Sequence, residues 1–251
     1  MRQQSFIVGT RKSQLALTQT NALISRLSLH FPECQFSVKT ISTAGDRSAG
    51  RPALFDRQGI FVKEIEDALL KGEIDLAVHS LKDMPCDISK GLALGAICER
   101  CDPRDALISR QGIGFLELKS GAVIGTSSIR RKAQILAARQ DISVVELRGN
   151  VDTRLKKLDA GEVDAIVLAA AGLMRLAQDK RISQLMPLDM MLPAPCQGAI
   201  GIEVRCDDVR SLQLVSKLDD AVSRACVTAE RAFSTRRRPS SCSGRIRATW
   251  I

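Results

Sequence analysis

Short apolar runs alternate with longer segments of helical periodicity from the start of the chain. Residues 5–9 form an apolar run that predicts a strand. Over 13–28, Leu15, Leu17, Ala22, Leu23 and Leu27 recur at helical spacing and predict an amphipathic helix. A strand is expected over 36–41. The stretch 43–58, rich in Gly, Asp, Arg and Ser, predicts a loop that we expect to cover a cleft. A helix over 61–70, a strand buried on both faces over 74–79 and a further strand over 92–98 complete a first unit.

A second unit repeats the alternation. Strands are expected at 122–125, 143–147 and 163–168, and helices at 128–139, 150–158 and 170–178. A proline-punctuated connector at 187–195 leads to one more strand at 198–205. Because that strand follows the second unit, it is expected to return to the first sheet. The pattern predicts an α/β fold of two lobes joined by crossing strands, with a ligand cleft beside the carboxyl ends of the strands.

Composition narrows the function classes. The chain has 251 residues, 45% hydrophobic and 26% charged, which is ordinary for a globular protein with room for two domains. It contains no apolar run of the length a transmembrane helix needs, and its first residues lack a signal-peptide core. A cytoplasmic location is expected. Cys34, Cys86, Cys98, Cys101, Cys196, Cys206, Cys226 and Cys242 are read as reduced thiols. Cys98 and Cys101 form a CxxC, but no second CxxC completes a zinc site. The net charge is +9, yet residues 231–251 hold six arginines and no Asp or Glu, so residues 1–230 carry only +3. With 3% aromatics and no Tyr, stacking platforms for bases are scarce, and nucleic acid is not an expected partner.

Two stretches concentrate candidate chemistry. VIGTSSIRRKAQILAARQDISVVELRGNVDTR (123–154) gathers Thr126, Ser128, Arg130, Arg131, Arg148 and Arg154 at strand ends and helix starts. Helix N-termini offer unpaired N–H groups, and guanidiniums match carboxylates or phosphates in bidentate fashion. A ligand with several negative charges is expected there. IDLAVHSLKDMP (74–85) ends a buried strand in Lys82 and Asp83, and Arg11-Lys12-Ser13 follows the first strand. Both sets are expected to face the arginine-rich end of the second lobe.

These motifs resemble the porphobilinogen deaminase (hydroxymethylbilane synthase) family. The resemblance runs through GTRKSQLALTQT (9–20), QGIFVKEIEDALL (58–70), IDLAVHSLKDMP (74–85), DPRDALIS (102–109), GTSSIRRKAQ (125–134), LRGNVDTRLKKLDAGEVDAIVLAAAGLMRL (147–176), LPAPCQGAIGIEVR (192–205) and VTAERAF (227–233). It implies two periplasmic-binding-protein-like lobes around a cleft and a truncated third α/β domain. The implied boundaries are 1–98 plus 196–216, 99–195, and 217–251. It implies a monomeric transferase of tetrapyrrole biosynthesis that joins four porphobilinogen molecules with release of ammonia. Asp83 is the implied catalytic carboxylate, assisting ammonia loss and stabilising the developing cation. Ser13, Lys82, Thr126, Ser128, Arg130, Arg131, Arg148 and Arg154 are implied to bind a dipyrromethane cofactor. Arg11, Phe61, Arg148, Arg154, Arg175 and Gln197 are implied to bind substrate. Each pyrrole carries an acetate and a propionate, so an arginine-lined cleft fits a growing polycarboxylate. Replacing Arg131 or Arg148 is expected to reduce turnover far more than stability.

The resemblance also implies a thioether from a cysteine in a Gly-Gly-Cys loop to the cofactor. Here the chain reads STRRRPSSCSGRIRATWI after Phe233. Cys242 is the candidate attachment point, although the register from Phe233 puts the family cysteine at Ser241 and the paired glycines are absent. The abrupt change of composition reads as a frameshift near codons 234–240, which leaves a truncated family member that only binds acidic pyrroles as the alternative. A nucleic-acid role for the basic tail ranks last.

Overall fold

Near-continuous apolar runs become the most deeply buried strands, and the strands sort into two five-stranded sheets. The computed structural model describes residues 4–43 and 62–236. Phe61, Cys242 and nearly all of the stretch 43–58 lie outside the described residues. In the first sheet, β1 (Ser5–Arg11) pairs in parallel with β2 (Gln35–Ile41) and with β3 (Leu76–Ser80). β4 (Leu92–Ile97) lies at its edge. The second sheet contains β5 (Asp105–Ser109), β6 (Val123–Gly125), β7 (Ser143–Val145), β8 (Ala165–Ala169) and β9 (Gln184–Leu185), in the order β7-β6-β8-β5-β9. The chain then returns: β10 (Ile200–Arg205) inserts between β3 and β4 of the first sheet, antiparallel to both.

Helices cover both faces of each sheet. α1 (Gln14–His30) packs Leu23 and Leu27 against Phe6, Val8, Leu76 and Ile202, and α6 (Val209–Ser216) closes the same core with Leu214 and Val215. On the opposite face, α2 (Lys63–Leu70) buries Ile65 and Leu69 against Ile74 and Ala77. In the second sheet, α3 (Ile129–Ala138) buries Ile135 with Leu107, Ile124 and Val167. Leu155 and Leu158 of α4 (Val151–Asp159) and Leu173 of α5 (Ala170–Arg175) pack on Ile108 and Ile166. Each such side chain contributes roughly 1.5–3 kcal/mol of burial energy.

The return of β10 agrees with the expectation from its place in the sequence. Three features differ. Asp105–Ser109, read only as a motif, is an interior strand whose antiparallel pairing with both neighbours makes the second sheet mixed. α5 stops at Arg175, short of residue 178, because Ala177 takes a left-handed φ of 53°. VTAERAF (227–233), read only as a motif, lies within a helix, α7 (Ala221–Arg236). Asp220 supplies its first hydrogen bond, accepting from the Ser223 amide at 2.7 Å.

Two segments, 98–104 and 192–199, carry the chain between the sheets and are bonded to each other. The Cys101 amide donates to the Gly198 carbonyl at 3.2 Å, and Arg100 Nε donates to the Gln197 carbonyl at 2.8 Å. Glu230 of α7 accepts from both Arg100 and the Cys196 amide, clamping the two segments from outside. Gly198 has φ +88°, and a Cβ there would lie 2.3 Å from the Cys101 carbonyl oxygen. Gly198→Ala should therefore cost at least about 2 kcal/mol, from left-handed strain plus a backbone clash. Chemical denaturation checks this, and an unchanged midpoint would show that the crossing can open without penalty.

Candidate functional site

One wall of the site grows from the end of β3. Residues 81–83 continue the strand as a single 3-10 turn, whose Leu81 is buried and acts as its anchor. Asp83 is exposed and Lys82 is half-buried. The Ser80 hydroxyl and the Gln19 amide of α1 bond each other, fixing the turn against that helix. Burial pushes the Lys82 ammonium below its ordinary pKa. Asp83 counters this, and weaker influences come from Arg131, Asp105 and Arg130. Those last three residues belong to the second sheet and its helix, so Lys82, at the end of the first sheet, lies within electrostatic reach of them.

The second wall begins where β6 ends. Thr126 is buried, and its hydroxyl accepts from the Ser128 amide at 3.2 Å. Ser128 caps α3 by accepting from the Arg131 amide, and the Ser127 hydroxyl donates to the Leu147 carbonyl. These hydroxyls thus build the helix start that aims the arginines. After β7, Gly149 turns the chain with φ +123°, and Asn150 caps α4 through the Thr153 amide at 2.9 Å. Arg154, one turn in, donates Nε to the Gly149 carbonyl. Burial, then the neighbouring Arg131, hold its pKa below the usual guanidinium value. Arg148 pairs with Glu146 at 2.6 Å, with both side chains well exposed.

The two walls also meet near the start of α1. Ser13 caps that helix, accepting from the Ala16 amide at 3.3 Å, so its hydroxyl is engaged by backbone. α1 packs on α5, and Leu15 lies beside Gly172. Arg11, half-buried at the end of β1, lies two residues before Ser13. Arg175, at the end of α5, donates to the Gly198 carbonyl at 2.7 Å. Its place is therefore the crossing of the two segments.

The residue that organises the second wall was not among those singled out. Asp105, the first residue of β5, is completely buried. Its Oδ1 accepts from Arg131 Nε at 3.1 Å, Arg131 Nη2 at 2.7 Å and Gln197 Nε2 at 2.8 Å. Its Oδ2 accepts from Arg130 Nη2 at 2.7 Å. Burial alone would push the Asp105 carboxyl up, but the charge and hydrogen bonds of Arg131, followed by Arg130 and Gln197, hold it below the ordinary carboxylate range. The signal in the sequence was an aspartate opening an otherwise apolar run, DALIS, with an Arg-Arg pair at a later helix start.

A family model described as "Porphobilinogen deaminase, dipyromethane cofactor binding domain" matches residues 6–213. The porphobilinogen deaminase of Brevibacillus brevis is 51% identical over 227 residues, covering 90% of this chain and 74% of that protein. That of a Roseiflexus species is 50% identical over 235 residues, covering 93% and 77%. The chain belongs to the porphobilinogen deaminase family. Its two-lobe fold is also that of a Bacillus subtilis lipoprotein assigned to methionine binding, at a TM-score of 0.51 and 14% identity, covering 88% of this chain and 93% of that one. That likeness concerns the fold alone.

For a member of the deaminase family, the wall suits a cofactor bearing several carboxylates. Guanidiniums of Arg130, Arg148 and Arg154 line it with part of their surface exposed. Gln197 is buried, and its Oε1 has no hydrogen-bond partner among the described residues, an acceptor suited to a ligand N–H. Arg131 occupies a different position from the one expected of a ligand-facing arginine. It is buried, and besides Asp105 it bonds the Val167 carbonyl at 2.9 Å. Phe61 and Cys242 lie outside the described residues. No group of three or more His, Cys, Asp or Glu able to hold a metal occurs among the described residues.

Two predictions follow from this burial. Arg131→Ala leaves Asp105 without its main partner inside the protein and should cost about 3–5 kcal/mol. Stability as well as turnover should fall, contrary to the expectation from sequence, and thermal unfolding measures it. The thiols of Cys98 and Cys196 are pushed up to about 11, mainly by burial. At pH 8 they should resist iodoacetamide, while the exposed Cys206 and Cys226 alkylate. Mass mapping after timed labelling reads this, and fast labelling of Cys98 would contradict the packed crossing.

Proposed function

We propose that the chain condenses four porphobilinogen molecules head to tail into hydroxymethylbilane, releasing one ammonia per unit added, on a dipyrromethane cofactor. The observation that carries this reading is the Lys82–Asp83 turn set opposite the Arg130–Asp105–Arg131 group. A single carboxylate beside a cation-rich wall suits a substrate that is itself a polycarboxylate and that loses a protonated amine.

Asp83 is the catalytic residue. Its exposed carboxylate can hold the proton that leaves with ammonia and then face the cationic carbon left behind. Lys82, Arg130, Arg148 and Arg154 bind acetate and propionate groups of the cofactor, and Arg11 and Arg175 those of the substrate. Gln197 offers its buried acceptor to a pyrrole N–H. Thr126, Ser128 and Ser13 act mainly by fixing the helix starts. When bound, the cofactor supplies the pyrrole carbon on which the chain grows.

The partner is porphobilinogen, with no nucleic acid, and we assign a monomer in the cytoplasm. No helix among the described residues is long and apolar enough to cross a membrane. We take 1–98 with 196–216 as the first lobe, 99–195 as the second, and 217–251 as part of a third.

Ammonia and linear tetrapyrrole release from porphobilinogen tests the reading, together with the mass of the purified protein for a covalent pyrrole adduct. Asp83→Asn should lower kcat by at least about 100-fold with unfolding unchanged, because an exposed side chain contributes little to stability. Activity equal to the parent protein in that variant would remove Asp83 from the chemistry. Arg148→Ala should raise KM at least about tenfold and shift stability by less than about 0.5 kcal/mol, since its exposed pair with Glu146 is worth little.

A further inference from the structure

We propose that Asp105 is a positioning residue for the reaction, setting the orientation of Arg130 and Arg131 and tying both to the segments that join the lobes. This rests on the proposed function, because Arg130, which it holds, is assigned to the cofactor and Arg131 backs it.

The geometry is specific. Asp105 accepts four hydrogen bonds from three side chains, and these come from different parts of the chain. Arg130 and Arg131 belong to α3. Gln197 belongs to the second crossing segment, and Asp105 itself directly follows the first. Gln197 Nε2 also donates to the Pro103 carbonyl at 2.7 Å, so one amide group bridges the first crossing segment and the carboxylate. On the other side, Arg130 Nη1 donates to the Leu192 carbonyl. Gln134, one turn further along α3, holds the same Leu192 through its amide at 2.8 Å and its carbonyl at 3.2 Å. Both crossing segments and the arginine helix therefore converge on one buried carboxylate.

A carboxylate in this position has two opposed effects on an acidic ligand. Its charge cancels one of the two guanidinium charges, which weakens attraction. Its hydrogen bonds fix both guanidiniums in one orientation before ligand arrives, which removes the cost of ordering two long side chains. Arg131, held by Asp105 and Val167, forms the back of the wall. Arg130 shares its fork between Asp105 and Leu192 while keeping a quarter of its side chain exposed, at 26%. The arrangement favours positioning as the stronger effect, because all three nitrogens of Arg131 and both terminal nitrogens of Arg130 meet acceptors fixed by the fold.

The two effects predict opposite outcomes for Asp105→Asn. The change raises the local positive charge by one and keeps the size of the side chain. If only the electric field matters, porphobilinogen and a synthetic dipyrromethane tetracarboxylate should bind more tightly and KM should fall. If Asp105 positions the arginines, Kd for the dipyrromethane and KM for porphobilinogen should rise at least about tenfold. Asp105→Glu keeps the charge but displaces the carboxylate by one methylene, and should weaken binding likewise.

The route of action is read by a double-mutant cycle with Arg130→Ala. In that background the binding loss from Asp105→Asn should shrink by at least about threefold, because the residue acts through the guanidinium that is gone. Calorimetric titration and steady-state kinetics are measured on protein whose thermal unfolding is recorded in parallel. If Asp105→Asn does not fold, Asp105→Glu and its cycle with Arg130→Ala provide the same comparison. Unchanged or tighter binding in the folded variants, or strict additivity in the cycle, would overturn the proposal. A parent protein that binds the dipyrromethane but forms no tetrapyrrole would count against the proposed function and leave the Asp105 comparison standing. A parent that binds neither compound would overturn both.

Discussion

A buried carboxylate must be paired, and the rest of this structure is arranged around pairing Asp105. An isolated charge at complete burial would cost several kcal/mol. Two guanidiniums and an amide meet that cost, but only if α3, β5 and the second crossing segment come to one point. The requirement selects a single arrangement of the second sheet against the strands that join it to the first. It also determines where Arg130 and Arg131 stand before any ligand arrives. The site is thus built from the same contacts that close the fold, and the wall cannot shift far without unpairing a charge.

Sequence periodicity revealed the elements more readily than their partners. The run 74–79 read as a buried strand because a strand covered on both faces shows mostly apolar residues, and 163–168 read as a strand; these became β3 and β8. The return of residues 198–205 to the first sheet could be inferred from chain order alone. Asp105–Ser109 escaped because five residues after Pro103 carry no alternation to read, and Asp at a strand start resembles a turn residue. α6 escaped because Asp207 and Asp208, the second of them its cap, resemble loop.

The candidate site was legible as a set of charges and illegible as a set of roles. Arginines at strand ends and helix starts identified the wall. Sequence spacing could not separate Arg131, spent on the protein's own carboxylate, from Arg148 and Arg154, which keep exposed surface. That distinction depends on the position of Asp105, residues away in sequence and on a strand the periodicity did not reveal. The same holds for the hydroxyls. Ser13 and Ser128 read as ligand contacts, and the structure engages both as helix caps, because a cap is the first demand on a hydroxyl at an N-terminus.

His79 shows how the first lobe answers to the same junction. It belongs to the motif that ends in Lys82 and Asp83, yet it is buried, and its Nε2 meets Glu203 of β10 at 3.0 Å. Glu66 of α2 lies close by, bonded by Ser89, and burial raises its pKa above the ordinary carboxyl value. A polar pair between two central strands contributes little net stability, but it penalises any other register, since a shift by one residue would leave Glu203 buried against apolar neighbours. β10 begins two residues after Gly198. Fixing its register therefore fixes the reach of Gln197 to Asp105. Through this one strand, a buried pair in the first lobe bears on the Gln197 hydrogen bond that reaches Asp105 in the second.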